Sequence, residues 1–239
     1  MHSPFWTLQW ATALLVAVAA VLKRSSGTSS DQVASFRWAW PIDEGLRATA
    51  QIILLGVFST VVVVPVALLL LPSEWATNGA VFIVYLLVGF ACWRSLSQLA
   101  SRFMTRLGYD LIGGRQVDLN TGITTLVLAA AVLLGRHLLS PVLQGYKSPK
   151  ETASFLAIAL VAAISEELLF RVLLQRSLRS AFGKVSSIGL SATVFALVHL
   201  YSGTALISVL WLGVLLGLAY EETRSVIPIT VAHFTFNLM

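Results

Sequence analysis

Two adjacent glutamates, Glu166 and Glu167, interrupt one of the most apolar stretches of the chain. The residues before them, 155–164, carry no charged or hydrogen-bonding side chain. Ionisable groups inside a membrane helix are costly and usually functional. Arg171 follows Glu167 by four residues, the favourable order for an ion pair on one helix face, and Glu166 points about 100° away around the helix. This spacing predicts that Arg171 holds Glu167 as an anion and leaves Glu166 for proton chemistry. The opposite assignment, or an arginine that reaches both carboxylates, is also compatible with it.

Two later apolar segments carry the other polar residues that stand out. One contains His199, and the other contains His233 and Asn237, which are four residues apart and therefore share a helix face. A carboxylate together with a histidine can deprotonate a water molecule, and His or Asn N–H groups can donate to a developing oxyanion. These groups suffice to hydrolyse an amide without a covalent intermediate, and no candidate Ser or Cys nucleophile stands beside a base. Each residue alone is also compatible with a purely structural hydrogen bond.

The same side chains include the ligand types of zinc. Glu166, His199 and His233 supply one carboxylate and two imidazoles, which are common zinc ligands. However, the chain has no His-Glu-x-x-His sequence, the helix that carries the metal in the common zinc proteases. We therefore predict a site without a cofactor, with zinc as the less favoured alternative.

The composition indicates that these residues lie in a membrane protein. The chain has 239 residues, of which 57% are hydrophobic and 11% are charged, whereas a soluble domain carries about 25% charged residues. The formal net charge is +5, and the basic residues fall mostly in loops, where membrane topology and anionic lipid headgroups explain them. No nucleic-acid-binding motif is present, so we predict no nucleic-acid partner. The single cysteine, Cys92, is interpreted as a small buried hydrophobe.

A membrane-spanning helix needs about 20 largely apolar residues, and the chain contains eight such candidates. They predict an all-α, polytopic helix bundle that forms one integral membrane domain, with four helices in residues 1–150 and the motif-bearing helices in 151–239. The predicted spans are 4–22, 50–71, 80–97, 123–140, 152–181, 187–201, 204–221 and 226–239. The last span is short, because the sequence ends at Met239.

The distribution of lysine and arginine supports this count of spans. Most of them fall in the odd-numbered loops, whereas the even-numbered loops contain only Lys147 and Lys150. The positive-inside rule then places the odd loops in the cytoplasm and both termini outside. In this topology the glutamates, the two histidines and the asparagine all come to lie between the middle and the cytoplasmic side of the membrane. In the third loop, polar residues repeat every four positions, and they are Arg94, Gln98, Arg102 and Arg106. This pattern indicates either an interfacial amphipathic helix or an extension of the third span.

The three motifs together resemble a known family. Glu166-Glu167-x-x-x-Arg171, Phe195-x-x-x-His199 and His233-x-x-x-Asn237, in this order on successive hydrophobic segments, are similar to the signature of the CPBP family. Its members are the CAAX-protease and bacteriocin-processing intramembrane endopeptidases, including the Ras-converting endopeptidase. The resemblance covers about 155–239, and the first 150 residues share with the family only their hydrophobic helices.

The resemblance implies a role for each motif residue. It implies that Glu166 is the general base, that His199 helps to bind the attacking water, and that His233 and Asn237 form the oxyanion hole. Glu167, Arg171 and Phe195 are implied as supporting residues, and a metal-free glutamate mechanism is implied over a metalloprotease mechanism.

The expected function is therefore that of an intramembrane endopeptidase. We expect the protein to cross the membrane several times, and we interpret its location as a bacterial plasma membrane. Its expected partners are membrane lipid and a peptide substrate that reaches the site from the membrane or from the cytoplasm. That substrate is a prenylated, leader-containing or membrane-associated peptide. Two alternatives keep the same residues: a non-catalytic membrane scaffold or immunity protein, and a proton-coupled transporter, for which no inverted repeat is visible.

Overall fold

The computed structural model describes residues 42–70, 73–102, 119–139, 153–199 and 206–238, and these are helical apart from short connections. They form helices α1 to α7 and one π-helical segment. In chain order these are α1 (Ile42–Leu70), α2 (Ser73–Arg102), α3 (Leu119–Leu139), α4 (Ala153–Glu167), the π segment (Leu168–Gln175), α5 (Arg176–Val198), α6 (Leu206–Thr223) and α7 (Val226–Asn237). The predicted all-α membrane bundle is confirmed.

Among the described residues, four helical segments are long and apolar enough to cross a membrane. They are Ile42–Leu70, Thr77–Ser101, Ala181–Val198 and Leu206–Thr223. On α1, large apolar side chains face outward, and Leu54, Phe58 and Leu69 are 67%, 66% and 84% exposed. A helix face with such exposed apolar side chains suits lipid, because water-soluble monomers rarely expose large contiguous apolar patches.

The predicted spans from the second to the eighth correspond to described helices, whereas the first, 4–22, lies outside the described residues. Helix α1 begins at Ile42, eight residues before the predicted start of that span at 50. The difference arises because charged Asp43, Glu44 and Arg47 lower the hydropathy of a turn that is nevertheless helical. Acidic residues in a first turn are favourable for the helix dipole.

Helix α2 is continuous to Arg102. Up to that residue, the basic stretch of the third loop is an extension of the third span. The remainder of the stretch, up to Arg106, lies outside the described residues.

A glycine separates the fifth and sixth predicted spans. Gly183 lies within α5 with φ 77° and ψ −179°, a backbone conformation that a residue with a Cβ rarely adopts. The helix that begins at Ala153 therefore turns at Gly183 into the segment that leads to His199. The predicted boundary between the spans, 181–187, contains this turn.

The motif-bearing helices lie together in the bundle. Helix α4 packs between α2 and α7, the π segment contacts α5 and α1, and α6 packs on α5. A Cβ on Gly213 would lie 3.1 Å from the backbone of Ala192, and one on Gly217 would lie 3.0 Å from the side chain of Gln175. Both glycines of α6 thus allow a close approach between helices inside this chain.

Candidate active site

The end of α4, the residue that follows α5 and the middle of α7 bring three predicted site residues together. Oε2 of Glu166 lies 3.5 Å from Nε2 of His199 and 3.5 Å from Nε2 of His233. Glu166 and His233 are buried, whereas the His199 side chain is 23% exposed. One carboxylate oxygen therefore faces two imidazoles in a site that opens to the surroundings beside His199.

This Glu166 oxygen makes no hydrogen bond within the described part of the chain, although it is buried. A buried charged acceptor without a hydrogen bond is costly, and such groups usually need a functional explanation. An unpaired carboxylate oxygen next to two ring nitrogens is suited to accept a proton from a bound water molecule.

The other ring nitrogen of each histidine has a fixed partner. Nδ1 of His199 lies 2.7 Å from the carbonyl oxygen of Phe195, and Nδ1 of His233 lies 2.7 Å from Oε1 of Glu167. A carbonyl oxygen and a carboxylate oxygen only accept, so each Nδ1 carries the proton. Both Nε2 atoms are consequently turned toward Glu166, and both rings are held in one orientation.

Glu167 and Arg171 form the ion pair that their spacing predicts. Nε of Arg171 donates to Oε2 of Glu167 at 3.1 Å, and both side chains are 0% exposed. Both carboxylate oxygens of Glu167 are thus occupied, one by Arg171 and the other by His233. The adjacent glutamates therefore differ in their hydrogen bonding. Each carboxylate oxygen of Glu167 has a partner, whereas Oε2 of Glu166 makes no hydrogen bond within the described residues.

Phe195 lies at the centre of this cluster. Its ring centroid is 4.6 Å from that of His199 and 5.6 Å from that of His233, and the guanidinium carbon of Arg171 lies 5.3 Å from it. Phe170 packs edge-on against the same ring at 5.1 Å. One aromatic side chain, 1% exposed, thereby fixes both imidazoles and the arginine.

The side chain of Asn237 bonds to the backbone of α4. Its amide nitrogen donates to the carbonyl oxygen of Ala159 at 3.3 Å, roughly 10 Å before Glu166 along α4 at 1.5 Å per residue. The structure thus brings together Glu166, His199 and His233, with Glu167, Arg171 and Phe195 around them. It places Asn237 where α7 is joined to α4, and the amide nitrogen carries a second N–H.

The π segment begins directly after Glu167. The N–H of Arg176 donates to the carbonyl oxygen of Arg171, five residues back, so the turns here are wider than in an α-helix. Side chains from Leu169 to Gln175 are all buried. Such π-helical turns are frequent at functional sites. No sequence pattern predicted this one.

Helix α2 supplies contacts that the motifs did not indicate. Oγ of Ser165 donates to the carbonyl oxygen of Tyr85 at 2.9 Å, and the Tyr85 side chain is hydrogen-bonded to Glu166. A Cβ on Gly89 would lie 2.7 Å from Oγ of Ser165, and the buried thiol of Cys92 contacts the Ser165 carbonyl oxygen at 3.9 Å. Tyr85, Gly89 and Cys92 are spaced four and three residues apart. That spacing marks one helix face but could not identify its partner.

Within the described ranges, no group of three or more His, Cys, Asp or Glu side chains is placed to hold a metal ion.

Comparison with known proteins identifies the part of the chain that carries the motifs. Residues 148–239 match the family described as type II CAAX prenyl endopeptidase Rce1-like. No curated protein and no solved structure matches the chain. The resemblance predicted from the three motifs is confirmed over this region, and the family match together with the apolar helices indicates an integral membrane protein with CAAX-type intramembrane protease activity.

Proposed function

We propose that this protein is an endopeptidase that hydrolyses a peptide bond within the membrane by direct attack of water, with Glu166 as general base. The observation that carries the proposal is the buried Oε2 of Glu166, which makes no hydrogen bond within the described residues and lies 3.5 Å from Nε2 of both His199 and His233. A structural carboxylate in a membrane protein would be paired, as Glu167 is. The family match at residues 148–239 supports the same reaction class.

In the first step, Glu166 takes a proton from a water molecule that is oriented by His199. The resulting hydroxide attacks the carbonyl carbon of the substrate, and the carbonyl oxygen becomes an oxyanion. Collapse of this tetrahedral intermediate breaks the C–N bond, and the proton held by Glu166 passes to the leaving amine. The partial exposure of His199 provides the side from which water enters.

His233 stabilises the oxyanion. Its Nδ1 proton points to Glu167, so Nε2 donates a hydrogen bond only when the ring carries both protons. Glu167, which is buried and lies 2.7 Å from Nδ1, accepts the hydrogen bond of that nitrogen and fixes the orientation of the ring. The second N–H of the Asn237 amide provides the other oxyanion donor, while the first holds α7 against α4 through Ala159.

The proposed substrate is a prenylated, leader-containing or membrane-associated peptide. It approaches from the membrane or from the cytoplasmic face, since the site lies within the bundle. The proposed location is a bacterial plasma membrane, with lipid as the surrounding partner, and the proposed reaction needs no cofactor.

The test is proteolysis by the purified full chain in detergent. A fluorogenic prenylated peptide, the same peptide without its prenyl group and a set of leader peptides are incubated with wild type and with Glu166→Ala, each with and without a strong zinc chelator. We expect cleavage by the wild type that survives chelation and disappears in Glu166→Ala. Comparison of the two matched peptides measures the contribution of the prenyl group.

Two results would contradict the proposal. Cleavage that persists in Glu166→Ala would remove Glu166 as the base, and cleavage lost on chelation would replace the metal-free mechanism by a metal-dependent one. If no peptide in the set is cleaved by any form, the non-catalytic scaffold becomes the better interpretation.

A further inference from the structure

Beyond the two histidines, a series of hydrogen-bonded, buried polar side chains leads toward Arg179 and Arg224. We define the buried polar chain as Glu167, Arg171, Ser191, Gln175 and Glu221. Nη1 of Arg171 lies 3.3 Å from Oγ of Ser191, and this oxygen lies 3.3 Å from Oε1 of Gln175. The Gln175 amide nitrogen donates to Oε1 of Glu221 at 3.4 Å.

The orientation of the Gln175 amide in the buried polar chain is determined by its partners. The Gln175 amide nitrogen also donates to the carbonyl oxygen of Gly217 at 3.0 Å. Carbonyl and carboxylate oxygens accept only, so the NH₂ group must face α6 and Oε1 must face Ser191. Ser191 can then donate its proton to Gln175, or to the carbonyl oxygen of Ile188 at 3.2 Å, and in either case it presents a lone pair to Arg171.

Arg171 depends on this arrangement. Its Nη2 has no hydrogen-bond partner within the described residues. The guanidinium is therefore held by two hydrogen bonds, one to Glu167 and one to Ser191, and by the face of Phe195. Loss of the Ser191 hydroxyl would leave one of these two bonds, and Glu167, which orients His233, would lose the fixed position of its partner.

The far end of the buried polar chain reaches the surface. Oε2 of Glu221 lies 3.0 Å from Nη2 of Arg224 and 3.4 Å from Nε of Arg179. These arginines are 21% and 34% exposed, whereas Gln175 and Ser191 are 0% exposed. Polar side chains this deep in a membrane bundle are expensive unless they serve a purpose.

We propose that Ser191 and Gln175 are positioning residues, which hold Arg171 and through it set the geometry of the Glu167–His233 pair. This inference rests on the proposed function for its catalytic consequence, but the geometry can be measured without catalysis. Gln175 acts on Arg171 through Ser191, and Glu221 acts on it through Gln175. A substitution should therefore disturb His233 most at Ser191, less at Gln175 and least at Glu221.

The experiment compares Ser191→Ala with Ser187→Ala in the purified full chain. Ser187 lies one turn earlier on α5 and is also 0% exposed, but its hydroxyl donates only locally, to the carbonyl oxygen of Lys184. The first readout is the NMR signal of the His233 Nδ1 proton in ¹⁵N-histidine-labelled protein, assigned with His233→Gln. The second is kcat and KM on a peptide that the wild type cleaves.

We expect Ser191→Ala to shift or broaden the His233 signal and to lower kcat by about 10- to 100-fold, the range for outer partners that orient a functional imidazole, with KM unchanged. Ser187→Ala should change neither. Gln175→Met, which keeps the side-chain length without the amide, should have a smaller effect in the same direction, and it replaces Ser191→Ala if that variant does not fold.

An unaltered His233 signal in folded Ser191→Ala or Gln175→Met would overturn the inference, as would equal loss of kcat in Ser187→Ala. If the wild type cleaves no peptide, the proposed function fails. The NMR comparison still decides whether the buried polar chain positions His233.

Discussion

The two adjacent glutamates should respond in opposite ways to the same conservative substitution. Glu166→Gln and Glu167→Gln each replace a buried carboxylate by an amide of nearly equal size. Glu166 has an unpaired Oε2, whereas both oxygens of Glu167 are bonded, to Arg171 at 3.1 Å and to His233 at 2.7 Å. The first substitution removes a buried charge whose Oε2 makes no hydrogen bond within the described residues, and the second breaks a buried ion pair.

The magnitudes follow from these contacts. Loss of a general base costs about 10²–10⁴ in rate, so Glu166→Gln should lower kcat by about 10³-fold, which corresponds to about 4 kcal/mol of transition-state stabilisation. Its free energy of unfolding should be unchanged or higher by about 1–2 kcal/mol, because a neutral amide costs less to bury than a charged carboxylate. Glu167→Gln leaves Arg171 as an uncompensated buried cation and should cost about 3–5 kcal/mol of stability.

The assay is thermal unfolding of the purified full chains in one detergent, together with peptide cleavage. A loss of 3–5 kcal/mol in a chain of this size lowers the melting temperature by roughly 6–20 °C, which separates the two variants clearly. Equal destabilisation by both substitutions would refute the division of labour between the glutamates. An active Glu166→Gln protein would refute the assignment of the base.

Four further substitutions test other parts of the account. His199→Gln should lower kcat by about 10²-fold or more with little change in melting temperature, because it removes the nitrogen that orients water at the exposed side of the site; cleavage assays measure it. Asn237→Ala should lower kcat by about 10²–10³-fold if its amide donates to the oxyanion, whereas loss of the Ala159 bond alone would show as about 1 kcal/mol in thermal unfolding. Tyr85→Phe should lower kcat by about tenfold, since it removes one hydrogen bond to a charged group, and an unchanged kcat would exclude α2 from the site. Gly213→Val should destabilise the protein by about 1–3 kcal/mol through overpacking against α5, measured by thermal unfolding.

The sequence predicted the fold class and the set of residues that meet because membrane helices obey two strong constraints. Apolar length identifies the spans, and ionisable groups inside them are rare enough to be informative. Glu166, His199 and His233 were recognised as polar intrusions at similar depth, and the structure places Oε2 of Glu166 3.5 Å from Nε2 of each histidine. The i, i+4 spacing of Glu167 and Arg171 predicted their ion pair, because residues four apart lie next to each other on one helix face.

Other features depend on contacts that spacing does not encode. Asn237 shares a helix face with His233, yet its side chain reaches the backbone of α4, because helix crossing decides what that face meets. The contact of Tyr85 with Glu166 joins residues far apart in the chain, and nothing in the third predicted span marks its partner. The buried contacts of Gln175 could not be predicted from the sequence, because the π-helical turns change the helix face on which it lies.

The most direct test of the central claim uses a single prenylated peptide and two proteins in liposomes. Wild type and Glu166→Gln are reconstituted at equal amounts, and the products are identified by mass spectrometry. The account predicts one specific cleavage of the peptide backbone by the wild type and none by Glu166→Gln, which folds equally well. Cleavage at the same bond and rate by both proteins would contradict the assignment of Glu166 as the base.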